Sequence, residues 1–209
     1  MATDRLYFTD SEEADRLLVT SPMALLIGFA LDQQVTVQKA FSGPLELQQR
    51  IGSLDAAAIA KMDPEKLASV FAERPALHRF PAAMAKRTQS LAQFIAEKHG
   101  GDAGSVWREA KDGKDLEKRI GALPGFGEMK VKSLIAVLGN QLGTAPKGWE
   151  EVAPDYPTLG DVDSPEKLAE YQGWKRSSKA AAKESGKAFE PWADKEQAEK
   201  YAAGKPADL

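Results

Sequence analysis

Between residues 123 and 127 the chain reads Leu123-Pro124-Gly125-Phe126-Gly127, and amphipathic stretches flank it on both sides. Proline presets the first central position of a tight turn, and the two glycines permit left-handed or open backbone that a side chain resists. Downstream, Val131, Leu134, Ile135 and Leu138 fall on one face of a helix predicted over Lys130 to Leu142. Upstream, Asp115 to Ile120 forms a shorter helix. The amides of such a turn point outward at the start of the second helix, where unpaired N–H groups and the helix dipole favour an anion. Lys130 and Lys132 add full charges beside it. Two readings fit the five residues: a hairpin that grips a nucleic-acid phosphate without reading sequence, or a plain corner between two helices.

Outward from this hairpin, apolar residues recur at helical spacing and alternating strand patterns are scarce, so the expected fold is all-α. Ser11 caps a first helix carrying Leu17 and Leu18, after an extended lead-in at Tyr7 and Phe8. Ser21-Pro22 opens a helix to Leu31 that is apolar nearly all round and therefore central. Further helices are predicted over Pro44 to Ile51, Ser53 to Ala60, Pro64 to Phe71, Ala82 to His99 and Ala103 to Ala110. Gly143 to Asp163 holds three prolines and three glycines and reads as loop. A last helix runs from Ser164 to Lys183, and residues 186–209 read as a mobile polar tail.

A chain of 209 residues has room for one domain or two small lobes. Its net charge of -3 supplies no overall attraction to nucleic acid or to an anionic membrane. A polyanion would have to meet a local patch, and the candidates are Lys86-Arg87, Lys130 to Lys132 and Lys175 to Lys187. Cys 0 excludes disulfides, thiolate zinc sites, cysteine nucleophiles and cysteine-ligated iron–sulfur clusters. The acidic N-terminus lacks the basic and apolar regions of a signal peptide, and Met23 to Leu31 is too short to span a bilayer. The expectation is a cytoplasmic protein, associated with the nucleoid when on DNA, with no membrane partner.

The hairpin resembles the L-P-G-hydrophobic-G text of the helix-hairpin-helix element. Upstream, Asp32-Gln33-Gln34 follow the apolar helix. Paired glutamines there resemble the segment that the HhH-GPD superfamily of base-excision DNA glycosylases inserts near an extruded base, where an amide both donates to and accepts from base edges. They stand roughly ninety residues before the hairpin, as in that superfamily. Leu77-His78-Arg79-Phe80-Pro81, leading into Lys86 and Arg87, resembles the stretch before its long barrel helix. The resemblance spans about Ser21 to Leu142 and looks closest to a compact, cysteine-free, actinobacterial-type branch.

That resemblance implies a two-lobed helical fold, with a central barrel lobe over about residues 36–142 and a second lobe from 1–35 and 143–185. It implies a monomer on double-stranded DNA, damaged or mismatched, contacted by Gly125, Phe126, Gly127, Lys130, Lys132, Gln33, Gln34, Lys86, Arg87 and Lys147. Glycosidic cleavage needs a carboxylate near C1′ of an extruded nucleotide. The superfamily supplies an Asp after the second hairpin helix, and its strand-cleaving members a Lys two residues after the second hairpin glycine. Those places hold Lys147 and Met129 here, so the expectation is either a glycosylase without lyase activity or a DNA lesion-binding module without catalysis. Asp161 and Asp32 are the candidate carboxylates; each also reads as an ordinary turn or helix-end residue. Trp149 either lines a base pocket or plugs one, and His78 is a proton shuttle or a packing residue. No metal set and no cofactor is expected, and nothing in the sequence supports a cation at the hairpin.

Overall fold

A computed structural model describes residues 3–184 and 186; the tail beyond Gly186, with Lys187 and Trp192, lies outside the described residues. Ten α-helices follow in order: α1 Glu12–Thr20, α2 Pro22–Leu31, α3 Val37–Ile51, α4 Ala56–Lys61, α5 Pro64–Ala72, α6 Pro81–Lys98, α7 Ser105–Arg108, α8 Gly113–Gly121, α9 Glu128–Ala136 and α10 Pro165–Glu184. No strand occurs among the described residues, so the chain is all-α. Side-chain caps start most of these helices: Ser11, Ser21, Thr36, Asp55, Asp63 and Asp112 each accept a first-turn amide. No single helix among the described residues is long and apolar enough to cross a membrane.

Every residue of α2 from Met23 to Leu31 is buried. Gly28 lets α3 approach closely, since a Cβ there would meet the Phe41 ring at 2.5 Å. Phe41 in turn packs edge-on against Phe8 at 5.0 Å and Phe29 at 5.2 Å. The predicted lead-in at Tyr7 and Phe8 forms no strand; it is an arm whose Leu6 and Phe8 are fully buried. Arg50 of α3 donates to the carbonyls of Val70, Glu73 and Pro75, satisfying the open end of α5.

Three predicted helices change most. α3 begins at Val37, capped by Thr36, and runs through Pro44; the β-branched Val35-Thr36-Val37 hid the start, and proline was taken for it. The segment predicted as Ala103 to Ala110 keeps only the short α7. The long helix to Leu142 ends as α at Ala136 and continues as a π-helical turn, Val137–Gln141. In that turn Gly139 lies under Trp149, where a Cβ would stand 2.5 Å from the indole. The predicted loop between residues 143 and 163 includes two 3₁₀ turns, Trp149–Glu151 and Leu159–Asp161.

The hairpin closes as a turn in which the Phe126 N–H donates to the Leu123 carbonyl at 3.1 Å, with Gly125 at φ +82. Pro124 then Gly125 is the residue order a type II turn demands. Gly127 differs: it caps α9 at φ -82, with nothing within 4 Å of a Cβ built on it. Only Gly125 needs glycine for its backbone.

Asp15 is buried, and its Oδ1 accepts from the amides of Phe8 at 3.1 Å and Thr9 at 3.0 Å, which fixes the arm. Burial pushes its carboxyl up from 3.8 to about 6, against the pull of those hydrogen bonds. A carboxyl raised in the folded state opposes folding once ionised, so its contribution is full below about pH 4 and lost as pH rises through about 6. Asp15→Asn keeps an oxygen for both amides. Unfolding by urea at a series of pH values should show wild type losing stability relative to the variant across that window; parallel profiles would remove Asp15 as the cause.

Candidate functional site

α2 is sealed until its last turn, and its C-terminal end opens onto a cleft of about 530 Å³. Asp32 caps that end, and Gln33 and Gln34 follow it, exposed, on one wall. Gln34 has φ 57, the one positive-φ residue other than glycine among the described residues. Left-handed backbone costs a side-chain-bearing residue roughly 1–2 kcal/mol, so the surrounding bonds must hold it.

His78 supplies one such bond. The Phe80 N–H can only donate, so it donates to Nδ1 of His78 at 3.0 Å, which leaves the proton on Nε2 to reach the Gln33 carbonyl, also at 3.0 Å. Burial lowers the imidazole's affinity for a second proton. His78 is therefore a fixed strut, not the proton shuttle considered from sequence. Arg87 supplies another bond, donating to the side-chain oxygen of Gln33 while its stem packs beside Gly125. Arg87 thus ties the glutamine loop to the hairpin. Phe80, 41% exposed beneath the Arg79 guanidinium, stands next to this strut.

The facing wall is built by α9 and α10. Met129, Lys130 and Ser133 come from the first turns of α9, and Tyr171, Lys175, Arg176 and Lys179 from α10. Lys130 turns inward: Nζ donates to the Ala30 carbonyl at the end of α2 at 3.2 Å, where the helix dipole favours a cation. Burial nevertheless pushes its amine down from 10.5 to about 8; the Asp32 charge pulls it up, and Arg87 and Lys175 push it further down. Lys175 Nζ lies 3.9 Å from Asp32 Oδ2 and 5.2 Å from the centre of the Tyr171 ring. Although burial opposes its charge, Tyr171 and Asp32 raise its pKa on balance. Asp32 thus stands between two ammonium groups.

Asp32, Gln33, Gln34 and Lys130 meet in one cleft, and Arg87 reaches its rim. The other sequence candidates lie elsewhere. Asp161 accepts from the Thr158 amide at 2.8 Å, closes a capping box on its own 3₁₀ turn and does not line the cleft. Lys132 pairs with Glu117 at 2.7 Å and donates to the Val152 carbonyl, so it fastens the hairpin to the following loop. Lys86 borders a shallow groove between α5 and α6, and Lys147 is exposed in a turn away from the cleft. Trp149 plugs the space over Gly139 and does not line this cleft. Phe126 is buried, its ring 6.4 Å from Phe29, so only the hairpin backbone is presented. No hydrogen bond within the described residues occupies the N–H groups of Gly127, Glu128 and Met129, although Glu128, exposed in that turn, opposes an anion there.

The sequence reading missed Tyr171 and the inward orientation of Lys175. Tyr171 and Lys175 stand one helical turn apart, but in the sequence Lys175 is absorbed into the Lys175 to Lys187 basic patch. From sequence, Lys130 reads as a phosphate contact beside the lyase position held by Met129; the cleft takes both residues. No cluster of three or more His, Asp or Glu side chains suited to a metal ion occurs among the described residues. Compared with protein-family models, curated proteins and solved structures, the chain matches none.

With an amine near pKa 8, roughly a tenth of Lys130 is neutral at pH 7. Carbon NMR of ¹³C-methylated lysines should show one resonance titrating near pH 8. Asp32→Asn removes the charge that holds the proton and should move that midpoint lower; an unchanged or higher midpoint would separate the two groups.

Proposed function

We propose that the protein binds DNA and acts as a base-excision glycosylase, receiving a flipped base in the cleft beside Asp32. The observation that carries this is the meeting of Asp32, Gln33 and Gln34 from the end of α2 with α9, the second helix of the hairpin, across a single cleft. The open amides at the start of α9 offer a phosphate contact, and Arg87 links that contact to the glutamine loop. Extruding a base costs a few kcal/mol, and exposed amides that both donate and accept are suited to fill its place. Asp32, held beside Lys175, serves as the carboxylate that stabilises positive charge developing at C1′ and activates water. In this reading the role comes from the end of α2 and not from the loop after the hairpin, where Lys147 stands.

Lys130 favours a second reading of the same chemistry. A partly neutral amine in the cleft can itself attack C1′, so that the base departs with the glycosidic electron pair, takes up a proton, and the opened sugar remains as an imine on Nζ. Water and amine give different products.

Duplexes containing uracil, an alkylated base or an oxidised base, incubated with the protein, should yield an abasic product on at least one. Asp32→Asn should lower that rate at least about a hundredfold. Borohydride added during the reaction traps a covalent complex if Lys130 attacks and none if water does, with Lys130→Met as control. Binding to a lesion duplex with no base released on any substrate would support the lesion-binding module instead. Gly127→Val is expected to weaken duplex binding while the thermal midpoint and helix signal survive, because its backbone and surroundings admit a side chain. Gly125→Val, at φ +82, should destabilise the fold by about 1–2 kcal/mol or more.

A further inference from the structure

Among the described residues, Lys130, Lys175 and Arg176 line the cleft together with the carboxylate of Asp32. Their charges act on one another: Lys175 and Arg87 push the Lys130 amine down, and Lys175 does the same to Lys179, in each case after burial. A phosphodiester inside a strand brings one negative charge. A phosphomonoester brings close to two at neutral pH, since its second pKa is about 6, and so matches this excess better. The remaining surface has a different character. Val35 and Met129, both half-buried, give apolar area, while Gln33 and Gln34 offer amide donors and acceptors suited to the edges of a heterocycle. At about 530 Å³ the space falls in the range of small-ligand sites. Arg176 and Lys179 are exposed at the rim, whereas Lys175 and Lys130 stand deeper.

We infer that the cleft binds a free nucleoside monophosphate, with the base against Val35 and Met129 and the phosphate among the α10 cations. The inference rests on the function proposed above only in taking a nucleotide as the cleft's ligand; it differs in that the nucleotide is free and carries a terminal phosphate. A glycosylase with such a site is occupied by free nucleotide when not on DNA, and the two ligands compete.

Titration calorimetry on the full chain at low ionic strength tests this with adenosine and thymidine 5′-monophosphates, the parent nucleosides, and inorganic phosphate. The monophosphates should bind at least about tenfold more tightly than either part alone, a difference of about 1.4 kcal/mol. Equal affinity for phosphate and nucleotide would reduce the site to a charge trap and overturn the inference, as would no binding at all. Arg176→Gln with Lys179→Gln changes only exposed positions, so folding should persist, checked by the thermal midpoint. Monophosphate affinity should fall about tenfold or more with nucleoside affinity unchanged; an unaffected monophosphate affinity would overturn the placement. Duplex binding is measured on the same samples. Duplex binding without monophosphate binding sinks this inference alone, and monophosphate binding without duplex binding sinks the proposed function alone.

Discussion

An α-helix that is apolar on every side has to be enclosed on every side, and α2 places that demand on the whole chain. Met23 to Leu31 leave no face for solvent, so α3 crosses at Gly28 and α1, α6 and the hairpin occupy the remaining directions. Burying a Leu, Ile or Phe is worth about 1.5–3 kcal/mol, which makes α2 the largest single reason for the others to assemble. Enclosure has to stop where the sequence turns polar. Asp32, Gln33 and Gln34 come directly after Leu31, and the covering helices part there. The cleft is the place where the rule that organises the core runs out.

Its electrostatics follow from the same geometry. The end of α2 presents unsatisfied carbonyls, which attract Lys130, and a capping carboxylate, which attracts Lys175 from α10. Two amines are thereby drawn into a partly desolvated space that neither would enter alone. One loses affinity for its proton and the other gains it, because burial dominates at Lys130 while Tyr171 and Asp32 together prevail at Lys175. A chain of net charge -3 thus collects its positive charge where the apolar core ends.

Helix-start chemistry made part of the fold legible in the sequence: Ser11 and Ser21 cap real helices and Pro64 opens α5, and the apolar circumference of α2 announced its central position. Local pattern failed where tertiary contact decides. Pro44 lies inside α3 because that helix is capped at Thr36 and packed along its length. The π-helical turn at Val137–Gln141 follows from fitting Gly139 under Trp149, a contact absent from any short window. In the site, residues next to a recognisable motif were found, namely Asp32, Gln33, Gln34 and Lys130. Tyr171 and the inward Lys175 were not, because a lysine stripe on a helix looks the same in sequence whether it faces water or a carboxylate far back in the chain, as Asp32 is. His78 drew attention for its chemistry and proved to matter for its hydrogen bonds.

Gln141 joins parts of the molecule that are far apart in the chain. Its carbonyl accepts from the Thr3 amide at 3.2 Å, and its side-chain amide donates to the carbonyls of Leu159, Gly160 and Val162, the last at 2.7 Å. Thr3 is therefore fastened to a turn more than a hundred residues further along the chain, and the loop that leads into α10 hangs from that same turn. The arm has no anchor at Gln141 until that turn exists, and α10, which forms one wall of the cleft, is seated through it. In effect the stretch from Thr3 to Val162 closes into a ring, so that a change in the arm reaches the wall that α10 supplies.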